Sequence, residues 1–187
     1  DRDTSGILLL AKKRSALTNL QDQFRERETG KTYLALVQGH WAANRKVIDT
    51  PLHKYLIPDG ERRVKVVAKD HPDAMHSVSL VKVRQRLPAQ PAQGLPELSL
   101  LEVTIKTGRT HQIRVHMASS GHPIAGDDKY GDFELNKVLQ KQVLKRMFLH
   151  AWRLQFNHPL TGERHELLCP LPPELARLVP DDVRPKP

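Results

Sequence analysis

Residues 107–126, TGRTHQIRVHMASSGHPIAG, carry the densest set of side chains capable of chemistry. Arg109, His111, Gln112, Arg114 and His116 fall within eight residues, and no acidic residue stands between Glu102 and Asp127. A solvated basic helix normally interleaves Lys with Glu. A run without that interleaving calls for counter-charge from elsewhere, either a ligand phosphate or a protein carboxylate. A basic surface helix is the competing reading.

Other chemistries find less support. Ten histidines raise the question of a metal, but there is no HExxH or H-x-H cluster. His111 and His116, five apart, fall on different faces of a helix. No metal site is expected, since zinc needs four convergent donors. Ser5 could open a Ser–His–Asp set, yet no G-x-S-x-G elbow surrounds it. The ten glycines are scattered, and neither GxxxxGKS nor GxGxxG occurs. Asp1 and Asp3 are too few for a two-metal hydrolase.

The whole chain is basic. Its 187 residues hold 30 Lys+Arg against 21 Asp+Glu, a formal net charge of +9, with a sequence pI near 9.8. That balance favours a polyanionic partner, nucleic acid or an acidic membrane surface. No apolar run approaches the ~20 residues needed to cross a bilayer; the longest, Gly6 to Ala11, is strand-sized. Hydrophobic residues at 39% and charged residues at 27% are globular proportions, against a largely disordered chain. The length suits one sizeable core. Cys169 is the single cysteine, which excludes an intrachain disulfide and a CxxC zinc site. It fits a reducing compartment and is expected to pack as a small buried residue. Asp1-Arg2-Asp3-Thr4-Ser5-Gly6 is no initiator sequence and predicts a chain that continues upstream.

Several elements must position these residues. Ile7–Ala11 reads as a strand buried on both faces. Ser15 caps a helix through about Arg27, with Leu17, Leu20 and Phe24 on one face and Gly30 as its stop. Lys31–Gln38 reads as a strand with Tyr33, Ala35 and Val37 on one side and Leu34 and Leu36 on the other. Val64–Val67 and Val78–Val83 are weaker strands. The Pro- and Gln-rich stretch 84–97 reads as a long hairpin connection to a half-buried strand at Leu98–Lys106. A short helix runs from about Thr107 to the Gly121-His122-Pro123 stop. Further elements are a helix at Asn136–Met147, strands at Phe148–Phe156 and Arg164–Cys169, and a Pro-led helix at Pro172–Leu178. Hairpin-linked strands with irregularly placed helices argue for α+β.

Three segments carry a family resemblance. DRDTSGILLLAKK (residues 1–13) resembles the signature H-R-L-D-x-x-T-S-G without its H-R-L. GKTYLALVQG (30–39) and TGRTHQIRVHMASSGHPIAGDDKYGD (107–132) are similar to the second and third motifs of the same family, the RluA-type pseudouridine synthases. DRDTSG, DDKYGD and FLHAWRLQFNHPLTGE (148–163) look nearest to its RluC subgroup. The resemblance spans about residues 1–170, with three motifs in order.

The resemblance implies a mixed, mainly antiparallel bent sheet flanked by helices and loops, with the active site in a central cleft. It makes residues 1–180 a catalytic domain, shortened at its start, and 181–187 a flexible tail. RluC-like proteins also carry an N-terminal S4-type RNA-binding domain, which these residues do not include. The implied activity is isomerisation of uridine to pseudouridine in ribosomal RNA, of the large subunit from the subgroup resemblance, without a cofactor. The family aspartate falls on Asp1, the tyrosine on Tyr33 and the arginine on Arg114. Arg114 would keep Asp1 ionised, because an isolated buried carboxylate tends to protonate. Tyr33 would stack on uracil, against the alternative of a core tyrosine. Ile113 or Val115 would line the apolar side. Arg109 and Lys129, with His111 and His116 nearby, would hold RNA phosphates. The expected protein is a cytoplasmic monomer with no membrane role. A non-catalytic RNA-binding or ribosome-assembly module on the same fold is the rival reading.

Overall fold

Strong two-residue alternation predicts which segments become the central strands. The computed structural model describes residues 1–142 and 144–180. Among them, the strands are β1 (Ser5–Gly6), β2 (Gly30–Gln38), β3 (Val47–Asp49), β4 (Leu52–Leu56), β5 (Arg62–Val66), β6 (Val78–Leu87), β7 (Leu98–Ile105), β8 (Leu149–Asn157) and β9 (Arg164–Leu168). The helices are α1 (Arg14–Arg25), α2 (Gln112–Ser119), α3 (Phe133–Gln142) and α4 (Pro173–Ala176). The expected tail at 181–187 lies outside the described residues.

Seven strands form one sheet in the order β1-β8-β2-β7-β6-β3, with β9 also paired to β8. All pairings are antiparallel except β1 with β8. Register irregularities at Thr32/Tyr33 and at Val83/Gln85 kink the two long strands, as bulges do. The α+β fold with a mixed, mainly antiparallel bent sheet is thus as expected. β4 and β5 form a separate hairpin whose Leu52 and Val64 pack on Val115 of α2. No helix of the described residues is long and apolar enough to cross a membrane.

Alternation along β2 sorts its side chains as predicted. Leu34 and Leu36 join Leu100, Phe148 and the α3–α4 residues Leu139 and Leu175 on one side. Ala35 and Val37 join Leu101, Val103 and the α2 residues Ile113 and Met117 on the other. Helices therefore cover both faces, and neither β2 nor β7 has an exposed residue. Burying one such Leu contributes about 1.5–3 kcal/mol.

Some expectations fail for local reasons. Ile7–Ala11 is not a buried strand: only Ser5 and Gly6 pair with β8, and Leu8 and Leu10 are 80% and 77% exposed. Beyond Ala151 the same edge of β8 is taken by β9, which pairs from Arg153 onward. The leading segment therefore leaves the sheet, resting only Ile7 and Leu9 against Leu20, Leu154 and Phe156. α1 begins after Lys13 rather than at Ser15, and Leu17 is exposed. Gly30 opens β2 instead of closing α1; the chain turns at Arg27, which has φ 62°. α3 begins at Phe133, three residues before the expected Asn136, because the Asp132 carboxylate accepts the Glu134 and Leu135 amides. The short β3 and β4 carry too few alternating apolar residues to have been foreseen. Cys169 is only partly buried.

Gly6 fastens the leading segment to the sheet. Its φ is +106°, and a Cβ there would lie 2.2 Å from the Ala151 carbonyl oxygen. Gly162 has φ +73° but open space around it. Gly162→Ala should cost only the left-handed backbone strain, about 1–2 kcal/mol. Gly6→Ala should cost more, because the steric clash adds to that strain; urea unfolding of the two variants checks the order.

Candidate active site

The site is assembled by three chain segments that meet over the β2–β8 seam. The first is residues 1–6. Ser5 Oγ lies 2.9 Å from His150 Nδ1, and His150 Nε2 lies 2.8 Å from the Cys169 carbonyl oxygen. The carbonyl can only accept, so the imidazole proton sits on Nε2 and Nδ1 accepts from Ser5. Burial lowers the His150 pKa and keeps the ring neutral. Ser5 thus ties the leading segment to β8. The Ile7 amide donates to the Ala151 carbonyl at 3.0 Å. These ties hold Asp1 over the sheet.

The second segment is α2. Six of its eight residues, Gln112 to Met117, are buried, so the basic surface helix is excluded. Gln112 has every polar atom engaged. Its Oε1 accepts from Thr107 Oγ1 and the Arg109 amide, and its Nε2 donates to the Val78 carbonyl and Ser79 Oγ. His116 is fully buried, with Nδ1 2.9 Å from Ser79 Oγ and Nε2 3.0 Å from the Thr50 carbonyl. Burial lowers its pKa. His116 is thus not a phosphate ligand, contrary to expectation: both nitrogens are used inside the protein and neither reaches solvent.

Arg114 lies at the centre, 1% exposed. Its Nε and Nη2 donate to the two Asp127 oxygens at 2.9 and 2.7 Å, and its Nη1 donates to Asp1 Oδ2 at 3.0 Å. Asp128 adds a longer contact of 3.4 Å. The counter-charge that the sequence called for is thus carboxylate. Asp127 was not among the predicted site residues. Its sequence signals are that it ends the acid-free stretch after Glu102 and opens the DDKYGD segment.

The third segment is the turn around Asp127. Oδ1 also accepts the Lys129 and Tyr130 amides at 2.9 and 3.0 Å. Asn136 of α3 clamps the turn, donating to the Asp127 carbonyl and accepting the Gly126 amide. Burial opposes ionisation of Asp127, but the Arg114 bonds and charge, with the two amides, hold its pKa below the usual range. Burial likewise opposes the Arg114 charge, and the Asp127 bonds outweigh it.

A cleft of about 800 Å³ opens beside this ion pair, lined by Asp1, Tyr33, Arg109, His111, Ile113 and Arg114 among others. Six of the eight predicted site residues thus line this cleft: Asp1, Tyr33, Arg109, His111, Ile113 and Arg114. Tyr33 is half-buried, and burial raises its pKa so that the phenol stays neutral. Val115 faces the β4–β5 hairpin instead. Lys129 does not line the cleft, and its ammonium pairs with Glu61. Arg109 makes one side-chain bond, to the His76 carbonyl, and no ion pair among the described residues, so its charge is open to an anion. An apolar hollow of about 320 Å³ adjoins the cleft beneath α1. Away from the site, His53, His71 and Asp73 bring ligand atoms within 4.8 Å. That is one donor short of a structural zinc set, and His71 Nδ1 already accepts the Asp73 amide.

Comparison with known proteins gives this arrangement a setting. A family model described as RNA pseudouridylate synthase matches residues 1–119. "Ribosomal large subunit pseudouridine synthase C" of Pasteurella multocida is 44% identical over 179 residues, covering 96% of this chain and 51% of that protein. The protein of the same name from Yersinia pestis is 46% identical over 175 residues, covering 94% and 51%. The chain thus spans about half the length of the curated relatives it matches. The solved structure of "Human RNA Pseudouridylate Synthase Domain Containing 1" superposes with a TM-score of 0.75 at 29% identity, covering 94% of this chain and 69% of that one.

Removing one partner of a buried ion pair leaves an uncompensated charge. Asp127→Asn should therefore lower unfolding stability by about 3–5 kcal/mol at neutral pH. The Asp127 pKa is lower folded than unfolded, so its contribution is present above the unfolded value of about 3.9 and fades as pH falls through the folded value. The gap between wild type and variant, measured by urea unfolding, should narrow as the pH falls below about 4.

Proposed function

The chain belongs to the RNA pseudouridylate synthase family, and from that premise we propose that it converts uridine to pseudouridine in RNA, with large-subunit ribosomal RNA as its substrate. Residues 1–180 would form the catalytic domain of a cytoplasmic, monomeric enzyme that needs no cofactor. The observation that carries this reading is the 3.0 Å contact between Asp1 and a buried Arg114 at the wall of the cleft.

The reaction breaks the N1–C1′ bond, turns the uracil and joins C5 to C1′. The C5 proton is lost and N1 gains one, so atoms and charge balance without an external reagent. A carboxylate at Asp1 can serve by attacking C1′, by stabilising oxocarbenium character or by removing the C2′ proton. Each route needs the carboxylate ionised and aimed. The free Nη1 of Arg114 does both, since the guanidinium cannot lose its proton and its orientation is set by Asp127. Tyr33 offers a neutral aromatic face for stacking on the base, and Ile113 an apolar one. The uridine must leave its stack to enter such a cleft. Arg109, at the rim, would hold a phosphate, a contact that positions RNA without specifying sequence.

RNA tritiated at uracil C5 reads the reaction directly. The full protein should release tritium, and Asp1→Asn should release none while still binding RNA; equal release by both removes the proposed role of Asp1. Release by neither favours the binding-module reading. Arg109→Ala should weaken RNA binding and flatten its log–log salt dependence by about one unit of slope.

A further inference from the structure

His111 is predicted as a basic RNA contact, yet the structure gives it other properties. It precedes α2 with φ 51° and ψ 22°, the left-handed region, where non-glycine residues are uncommon and strain concentrates at functional positions. Its Nδ1 lies 2.8 Å from Tyr130 Oη. That oxygen already accepts the Val64 amide at 3.1 Å. The phenol proton has His111 Nδ1 as its one acceptor among the described residues, which favours the phenol as donor and the imidazole proton on Nε2. Nε2 has no partner among the described residues and is not sealed from solvent, and His111 lines the cleft.

The surroundings keep this ring uncharged. Burial, then the Arg114 and Lys129 charges, push its pKa down to about 4, with Asp127 opposing. Tyr130 itself contacts two guanidinium groups, with Arg63 5.8 Å and Arg114 5.2 Å from its ring centroid. A hairpin strand, a buried ion pair and a turn thus converge to orient one N–H.

We propose that His111 donates its Nε2–H to a carbonyl oxygen of the uracil in the cleft, and that Tyr130 acts through it as a positioning residue. The inference rests on the pseudouridine synthase reading. A neutral donor suits a neutral carbonyl, whereas Arg109 suits a phosphate. When N1–C1′ breaks with its electron pair on the base, negative charge spreads onto the carbonyl oxygens. A fixed donor then gains strength in the transition state, and its loss lowers kcat more than it raises KM.

The test is tritium release by the full protein with the variants His111→Gly, His111→Gln and Tyr130→Phe. Glycine suits the left-handed backbone, so the first variant removes the ring without unfolding the turn. It should lose about 10²-fold in kcat, as other single-donor deletions do, with KM little changed. Glutamine, which restores an N–H donor, should recover most of the loss. Tyr130→Phe should lower kcat, and the ¹⁵N shifts of His111 should move from one tautomer to a mixture. An active wild type with His111→Gly unaffected, or altered in KM alone, overturns the inference and leaves the parent reading standing. An unchanged tautomer in Tyr130→Phe overturns the role of Tyr130. A wild type without tritium release overturns the parent reading, and this inference with it.

Discussion

A guanidinium that is 1% exposed cannot shed its proton and cannot be left unpaired, and the architecture around Arg114 answers that constraint. Asp127 takes two of its N–H groups in a fork, the geometry that a carboxylate satisfies best. To hold that carboxylate, the 126–131 turn wraps its own amides onto it and Asn136 clamps the turn to α3. The turn tolerates no extra bulk: a Cβ at Gly126 would lie 2.3 Å from the Arg146 carbonyl, and one at Gly131 2.1 Å from the Asp127 carbonyl. What remains is one guanidinium nitrogen pointing to the cleft, and Asp1 meets it.

The two carboxylates therefore do different work with the same arginine. Asp127 is buried and saturated with donors, so it anchors. Asp1 receives a single strong donor, with only a 3.4 Å contact from the Asp3 amide besides, so its oxygens remain available to a ligand. Three histidines near the site divide similarly. His116 and His150 have both nitrogens engaged and act as internal ties. His111 has one nitrogen engaged and one open. Burial lowers the pKa of all three, and the basic side chains that line the cleft are Arg2, Lys31, Arg109 and Arg114.

Much of the scaffold was readable from periodicity. β7 and β8 announce themselves by largely alternating apolar residues, and β2 by a short continuous apolar run, the pattern of a strand covered on both faces. The short β3 and β4 gave no such signal: β3 pairs with β6, well beyond it in sequence, and β4, though in a local hairpin with β5, mixes His53 and Lys54 among its apolar residues. Ile7–Ala11 misled for the complementary reason. Five apolar residues look like a strand, but a strand needs an edge, and β9 occupies the edge that this segment would have continued along. The basic cluster at 107–126 misled in part as well. His116 has both ring nitrogens used inside the protein, and Lys129, just beyond the cluster, is paired with Glu61.

By itself, the sequence determined the residue types and order from which family, sheet and helices follow, and it required a counter-charge for Arg114. The family resemblance paired Arg114 with Asp1, and it did not point to Asp127 as the second carboxylate. Asp1 stands 113 positions from Arg114 and Asp127 stands 13. Neither spacing is a helical or strand repeat, so no local rule places the three together. Only the tertiary structure decided that both carboxylates converge on one guanidinium, because that depends on where the sheet edge, α2 and the following turn come to rest. The same holds for His111: its sequence says imidazole, and the packed Tyr130 and Val64 decide which nitrogen keeps the proton.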